Sequence, residues 1–139
     1  MTNKTAKFDF ELFFSALADR TRLRLINLMG EDEVCVCFFV EILGVNQPKI
    51  SRHLAYLKRA GLVGARRDGN WMHYRLIEPP DDGATRIFLE VRSVLAGDAE
   101  MLEDRKRLVN VCCAPELPAN VQGAPIPAGL VAYRCTTAC

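Results

Sequence analysis

The sequence lacks any long hydrophobic run, although half of its 139 residues are hydrophobic. No uninterrupted apolar stretch approaches the roughly 20 residues that a transmembrane helix requires, so we predict no membrane segment. The first residues, MTNKTAKFDFELFF, reach Asp9 and Glu11 before any apolar segment and lack the hydrophobic core of a secretory signal. We therefore expect a cytoplasmic protein with no membrane partner.

Signatures of catalysis are also missing. The sequence contains no glycine-rich phosphate loop, no nucleophile elbow, no zinc-hydrolase motif and no Cys-x-x-Cys pair. We therefore do not expect an enzyme. Six cysteines are present, and in a reducing cytosol they would remain thiols that are available for metal or redox chemistry, rather than form a disulfide framework.

The net charge of +1 conceals an uneven distribution. Residues 45–75 carry seven cationic side chains against one carboxylate, a balance of +6, so the rest of the chain carries −5. One basic segment on an otherwise acidic chain is typical of a surface that binds a polyanion such as DNA. A solvated surface helix is the alternative interpretation.

Apolar residues at helical spacing predict four helices in the first half of the chain. Asp9 and Asn46 are expected N-caps, and Gly30, Gly44 and Gly61 are expected to end the second, third and fourth helices. The predicted ranges are 10–17, 19–29, 34–43 and 46–60.

The character of the sequence changes after residue 61. Two short stretches between residues 62 and 76 flank Asp68-Gly69, a dipeptide favoured in two-residue turns, and predict a β-hairpin. Apolar stripes at 87–95 and 101–112 predict two more helices, the second after an Asp98 cap. Residues 114–139 contain four of the seven prolines and little charge. We expect one domain over 1–113, followed by a weakly ordered tail or an extended segment that lies over the domain.

The basic helix has two different faces. Ile50, Leu54 and Leu57 share an apolar face, and polar side chains occupy the other. A helix in the major groove contacts bases mainly through its N-terminal residues, and a basic hairpin tip can contact the backbone beside it. The predicted fold is therefore mainly α with a β-hairpin wing (α+β), a winged helix-turn-helix that binds double-stranded DNA. The predicted DNA-binding residues are Asn46, Gln47, Lys49, Ser51, Arg52, His53, Tyr56, Arg66, Arg67 and Asn70.

Alternatives stay open for the ring side chains of this region. Tyr56 and Trp71 could be half-buried packing residues rather than contacts to DNA. His53 and His73 are more typical of hydrogen-bonded structural imidazoles than of metal ligands.

Three motifs carry a resemblance to a known family: Cys-Val-Cys at residues 35–37, QPKISRHLAYLKRAGLV at 47–63 and GNWMHYRL at 69–76. From about Phe13 to Leu76 the chain resembles the ArsR/SmtB family of metal-sensing repressors, and its arsenic-responsive ArsR branch in particular. The resemblance implies a winged-helix homodimer that binds operator DNA and loses affinity for it when a metal or metalloid binds. It also implies that Cys35 and Cys37 bind trivalent arsenic or antimony as inducer, with no organic cofactor.

One position departs from the family pattern. Arsenic-responsive members commonly have a third cysteine three residues after Cys-Val-Cys, where this chain has Val40. Trivalent arsenic is soft and favours thiolates. We prefer Cys112 or Cys113 as the source of a third sulfur over Cys135 or Cys139, because a thiol on a helix is already partly ordered. Alternatively two sulfurs suffice, as for an organoarsenical, and the 112–113 pair holds no ligand.

The position of the first thiol pair predicts a link between inducer and DNA. Residues two apart on an ideal helix are separated by about 200° around its axis, so Cys35 and Cys37 could not easily bind one atom there. We expect that binding distorts this helix a few residues before Asn46, where the recognition helix begins.

Two other functions remain as alternatives. The same fold could sense a divalent ion such as zinc or cadmium, although family zinc sites on the last helix use histidine and carboxylates, and neither histidine lies there. The protein could also be a regulator that responds to thiol oxidation.

Overall fold

The computed structural model describes residues 7–131. It confirms a mainly helical fold with a β-hairpin, the wing. The elements in chain order are α1 Phe10–Leu17, α2 Arg20–Met29, β1 Val34–Cys35, α3 Val36–Leu43, α4 Gln47–Arg59, β2 Val63–Asp68, β3 Trp71–Leu76, α5 Asp82–Ala96, α6 Ala99–Cys113 and a 3₁₀ turn Ala119–Val121.

Side-chain caps fix where most helices begin. The side chains that accept a backbone N–H of the first turn, and so satisfy one of its unpaired donors, belong to Asp9, Asp19, Asn46, Asp81 and Asp98. The caps predicted at Asp9, Asn46 and Asp98 are therefore confirmed. Helix α3 differs, because its N-cap is Cys35, which makes no side-chain cap hydrogen bond.

The sheet contains a strand that the sequence did not predict. Its order is β1-β3-β2, with both pairings antiparallel. Strand β1 places Val34 opposite Tyr74 and Cys35 opposite His73. The prediction that the third helix begins at Val34 was therefore wrong by two residues, because these residues pair with β3 instead. In the wing Asp68 pairs with Trp71, so the two turn residues are 69–70 rather than 68–69.

Helix α2 lies at the centre of the molecule and packs against α1, α4, α5, α6 and β3. Phe13, Phe38 and Phe39 are fully buried in the core. One ion pair joins α2 to α6: Arg24 donates to Asp104 through Nε at 2.7 Å and Nη2 at 3.0 Å, and Asp104 is only 2% exposed.

The Arg24–Asp104 pair leads to a stability prediction. Asp104→Ala is expected to lower the free energy of unfolding by about 2–3 kcal/mol, because Arg24 loses its hydrogen-bonded partner and keeps only Glu100, 4.0 Å away, as a counter-charge. Breaking a fully buried pair costs about 3–5 kcal/mol. Urea unfolding followed by circular dichroism measures this. The double variant Arg24→Met/Asp104→Leu should lose less than Asp104→Ala, since no charge is left behind. An equal or larger loss in the double variant would contradict this account.

The segment after α6 packs onto the domain as far as Val131. Val121 is fully buried and Leu130 is 2% exposed. The Asn120 side chain donates to Glu41 at 3.1 Å, and the Gly129 amide donates to Asp32 at 2.9 Å. Residues 114–131 thus contact the domain at several points, while the division of the chain at residue 113 and the weak order of the tail stay predictions. Residues 132–139, with both tail cysteines, lie outside the described residues.

Across residues 7–131, no helix is both long enough and apolar enough to cross a bilayer.

Candidate functional site

Helix α4 is anchored on one face and open on the other. Its three apolar anchors, Ile50, Leu54 and Leu57, are fully buried. A left-handed Gly44, with φ of 67°, turns the chain out of α3, and the Asn46 side chain accepts the Lys49 amide at 3.0 Å. The exposed side chains of the predicted set on this helix are Gln47, Lys49 and Arg52, and Ser51 is half-buried.

His53 and Tyr56 face α2, unlike the exposed members of the set. Nδ1 of His53 lies 3.2 Å from Nη1 of Arg22, and the Arg22 guanidinium lies 4.2 Å from the centre of the Tyr56 ring. Burial lowers the pKa of His53, and the nearby Asp19 carboxylate opposes this only in part. The packing alternative for Tyr56 fits this geometry, and contact of either ring with DNA stays a prediction. Arg22, which contacts both rings, was not singled out in the sequence. Its guanidinium also donates hydrogen bonds to the carbonyls of Ser15 and Ala16.

The wing arginines are not equivalent. Arg67 and Asn70 are exposed near the tip of the hairpin. Arg66 instead turns back to Glu33, which accepts from Nε at 3.0 Å and from Nη2 at 2.6 Å. This hydrogen-bonded pair lowers the pKa of Glu33. The Arg66–Glu33 pair therefore ties the wing to the residues just before β1.

Cys35 and Cys37 already converge. Cys35 ends β1 with an extended backbone, φ −69° and ψ 142°, and Cys37 lies in the first turn of α3. Their Sγ atoms are 3.1 Å apart. The expected separation of about 200° was wrong, because it assumed that both residues belong to a helix. The two sulfurs can therefore bind one atom without first unwinding α3.

The environment of the pair favours a thiolate on Cys35. A hydrogen bond from the Cys37 thiol, opposed by burial and aided by backbone N–H groups of Cys37, Val36 and Met72, lowers the pKa of Cys35 to about 7. The same hydrogen bond, together with burial, raises the pKa of Cys37. The thiolate is the form that binds soft metals, and this pKa allows Cys35 to carry one near neutral pH.

The other predicted cysteines lie at the end of α6. Cys112 is fully buried and Cys113 is 8% exposed. Within residues 7–131, no three His, Cys, Asp or Glu side chains are grouped so that they could hold a metal ion. The described structure therefore does not bring Cys112 or Cys113 together with the first pair, and a ligand role for the four cysteines stays a prediction. Val40 lies one turn after Cys37 on α3 and is half-buried.

His73 differs from the expectation of a hydrogen-bonded imidazole. It is 4% exposed, and its Nε2 is the only buried side-chain nitrogen or oxygen in the described chain that lacks a hydrogen-bond partner. Sequence reasoning could not find this, because it follows from the pairing of β1 with β3.

An apolar surface lies on the outer side of α5. An open groove of about 470 Å³ is lined by Leu17, Leu23, Ile87, Glu90, Val91, Val94 and Leu95. Val94 is 67% exposed there, and on α1 Phe14 is 50% exposed. Large exposed apolar patches are typical of protein–protein contacts.

Known proteins share this fold and this sequence pattern. The family model described as "Bacterial regulatory protein, arsR family" matches residues 19–64. A solved structure, the homodimeric winged helix-turn-helix DNA-binding domain of Mb0332 from Mycobacterium bovis, described as a possible ArsR-family transcriptional regulator, is similar at a TM-score of 0.52 and 30% identity. The similarity covers 65% of this chain and 81% of that one. This chain belongs to the ArsR family.

Two curated relatives extend the comparison of this ArsR-family protein. The arsenical resistance operon repressor of Escherichia coli K12 is 52% identical over 64 residues, which are 45% of this chain and 55% of that repressor. The cadmium resistance transcriptional regulatory protein CadC of Listeria innocua is 37% identical over 76 residues, 52% of this chain and 64% of that protein. The chain thus spans a little over half the length of these relatives. The family match includes α2, α4 and the Cys35–Cys37 pair, and ends before the wing tip and α6.

Proposed function

We propose that this ArsR-family protein is a homodimeric transcriptional repressor that dissociates from operator DNA when trivalent arsenic or antimony binds Cys35 and Cys37. The observation that carries the proposal is the pair of sulfurs 3.1 Å apart at the end of a strand of the wing sheet. The arsenical resistance repressor at 52% identity supports the choice of inducer.

The DNA surface would consist of α4 and the wing. The exposed N-terminal part of α4, with Gln47, Lys49 and Arg52, would enter the major groove. Arg67 and Asn70 at the wing tip would contact the backbone beside it. Five further residues remain in the proposed DNA-binding set, although their side chains are half-buried or already contact other parts of the protein: Asn46, Ser51, His53, Tyr56 and Arg66.

Dimerisation would use the apolar surface of α1 and α5. A two-fold dimer presents two copies of α4 to two half-sites, and the half-sites of a palindromic operator lie about one helical turn, or a multiple of it, apart. The homodimeric domain at 30% identity supports this arrangement.

Release would follow from the position of Cys35 in the wing sheet. Cys35 pairs with His73 on β3. Glu33, two residues before Cys35, accepts a hydrogen bond from Arg66 on β2. An atom bound by both sulfurs would fix the junction of β1 and α3, which adjoins the wing directly. The inducer shifts the population only by its difference in affinity between the DNA-binding arrangement and the released one.

An inducer titration tests the proposal. Fluorescence anisotropy of labelled operator DNA should fall on addition of arsenite or antimonite at concentrations that leave a metal-free control complex intact. The CadC relative favours a second candidate, a cadmium or zinc sensor, and the same titration with these ions decides between them. Release by hydrogen peroxide, reversed by a thiol reductant, would instead identify the redox alternative. Insensitivity to all of these agents would refute an inducer role for the thiol pair.

The wing should contribute unequally to DNA binding. Arg67→Ala is expected to reduce the slope of log affinity against log salt by up to about one unit, since each neutralised phosphate contributes about 0.9. Arg66→Ala should reduce the slope less, because its guanidinium is shared with Glu33. Anisotropy titrations at several salt concentrations measure both slopes. Two unchanged slopes would remove the wing from the DNA-binding surface.

A further inference from the structure

His73 and Cys35 are neighbours by backbone register. They stand directly opposite each other in the antiparallel pairing of β1 with β3. Such residues point to the same face of the sheet, with Cβ atoms about 4.5–5.5 Å apart. Trp71 shares this face, because side chains alternate along a strand. The side chains of His73 and Cys35 therefore leave the sheet as neighbours on the same face.

The imidazole has an unused hydrogen-bonding atom. Nε2 of His73 is buried and makes no hydrogen bond within residues 7–131. A buried polar atom without a partner is unfavourable, and a bound water or ion is one of the reasons for such an exception.

The C-terminal segment lies against this face of the sheet at Trp71. Gly123 lies against the Trp71 ring, where an added Cβ would be 3.6 Å from Cζ2. Gly129 approaches Asp32 so closely that a Cβ would lie 2.5 Å from Oδ1. Cys35 and His73 are only 1% and 4% exposed. A polar group bound here would have to find its hydrogen-bond partner in the protein rather than in water.

Two thiols leave one such group on arsenic. Arsenite reacts as As(OH)₃ + 2 Cys–SH → (Cys–S)₂As–OH + 2 H₂O, so two As–S bonds replace two As–O bonds, the thiol protons leave in water, and no electrons are transferred. Monomethylarsonous acid reacts as CH₃As(OH)₂ + 2 Cys–SH → (Cys–S)₂As–CH₃ + 2 H₂O. The arsenite adduct keeps a hydroxyl group, and the methyl adduct has none.

We propose that Nε2 of His73 hydrogen-bonds the hydroxyl group that remains on arsenic after Cys35 and Cys37 have bound arsenite. Arsenic would then have two thiolate ligands, with the His73 imidazole hydrogen-bonded to its hydroxyl group rather than bound to arsenic, and the site needs no sulfur at Val40 or from α6. This inference rests on the proposed function, since arsenic must bind the thiol pair. It also gives the buried nitrogen a partner.

The two arsenicals provide a matched test on the full chain. Fluorescence of Trp71, the only tryptophan, reports binding of arsenite and of monomethylarsonous acid to the wild type, His73→Leu and His73→Gln. His73→Leu should weaken arsenite binding about five- to tenfold, the value of one hydrogen bond, and change binding of the methyl compound less than about twofold. His73→Gln should restore much of the arsenite affinity, because its amide reaches a similar position.

Each other outcome would overturn the inference. Equal weakening of both arsenicals by His73→Leu would show a structural role only. If His73→Leu has no effect and Cys112→Ser/Cys113→Ser loses arsenite binding, the third coordination position of arsenic would belong to a thiolate from α6. Failure of the wild type to bind either compound would refute the proposed function as well. If His73→Leu does not fold, ¹⁵N NMR of the wild-type imidazole decides, since Nε2 should shift with arsenite and not with the methyl compound.

Discussion

Replacing Cys35 and Cys37 together with serine is expected to leave operator DNA bound at arsenite concentrations that release the wild type. The Sγ atoms 3.1 Å apart are the proposed arsenic ligands, and a serine hydroxyl is a hard donor that soft arsenic does not favour. Loss of a group that only supports a metal ligand already costs about 10–100-fold in affinity. The loss of both ligands should therefore exceed about 100-fold, as measured by operator release.

The serine substitutions should keep the fold, which makes the result interpretable. Cys35 pairs with His73 through its backbone, and serine is close to cysteine in size. The matched control is Cys112→Ser/Cys113→Ser, which changes the same number of thiols on α6. Normal release by the Cys35→Ser/Cys37→Ser variant would refute the inducer site, whatever the control does.

Val94→Asp should separate the proposed dimer into monomers. Val94 is 67% exposed beside the apolar groove of α5, and a two-fold interface would bury the new carboxylate twice. At about 2 kcal/mol for each copy, as for an interface hot spot, the dimer dissociation constant should rise about 1,000-fold. Sedimentation equilibrium measures this change, and affinity for a palindromic operator should fall with it.

Leu89→Asp is the matched control for the interface. Leu89 is 54% exposed on the same helix, but two residues from Ile87, and so on nearly the opposite side of α5. This variant should remain a dimer. Dissociation caused by Leu89→Asp, with a stable Val94→Asp dimer, would place the interface on the other face of α5.

Local signals in the sequence were enough to predict most of the elements. The caps at Asp9, Asn46 and Asp98 and the apolar stripes act within a few residues, so the first four helices, the last helix and the wing were predicted close to their observed bounds, while α5 begins at Asp82, five residues before its predicted stripe. Gly44 and Gly61 also stand where helices end, both with positive φ. These features depend on backbone preferences that hold in any tertiary context.

The missed features all depend on contacts between residues distant in sequence. Strand β1 exists because β3, about 39 residues later by its register, offers unpaired backbone groups to Val34 and Cys35. Arg66 was predicted as a DNA contact, and only the folded chain brings Glu33 to it. The same pairing places an unsatisfied imidazole beside a thiol. The pairing register of β1 with β3 cannot be read from periodicity or composition alone, because it depends on how the whole domain packs.

Strand β1 is only two residues long, and this short pairing should determine how often the region around Cys35 opens. Short pairings at the edge of a sheet open locally with far smaller free energies than global unfolding. Amide hydrogens near Cys35 should therefore exchange with solvent much faster than those of α2. An almost fully buried thiol would meet a dissolved arsenical mainly during these brief openings, so the association rate would follow the frequency of opening rather than diffusion.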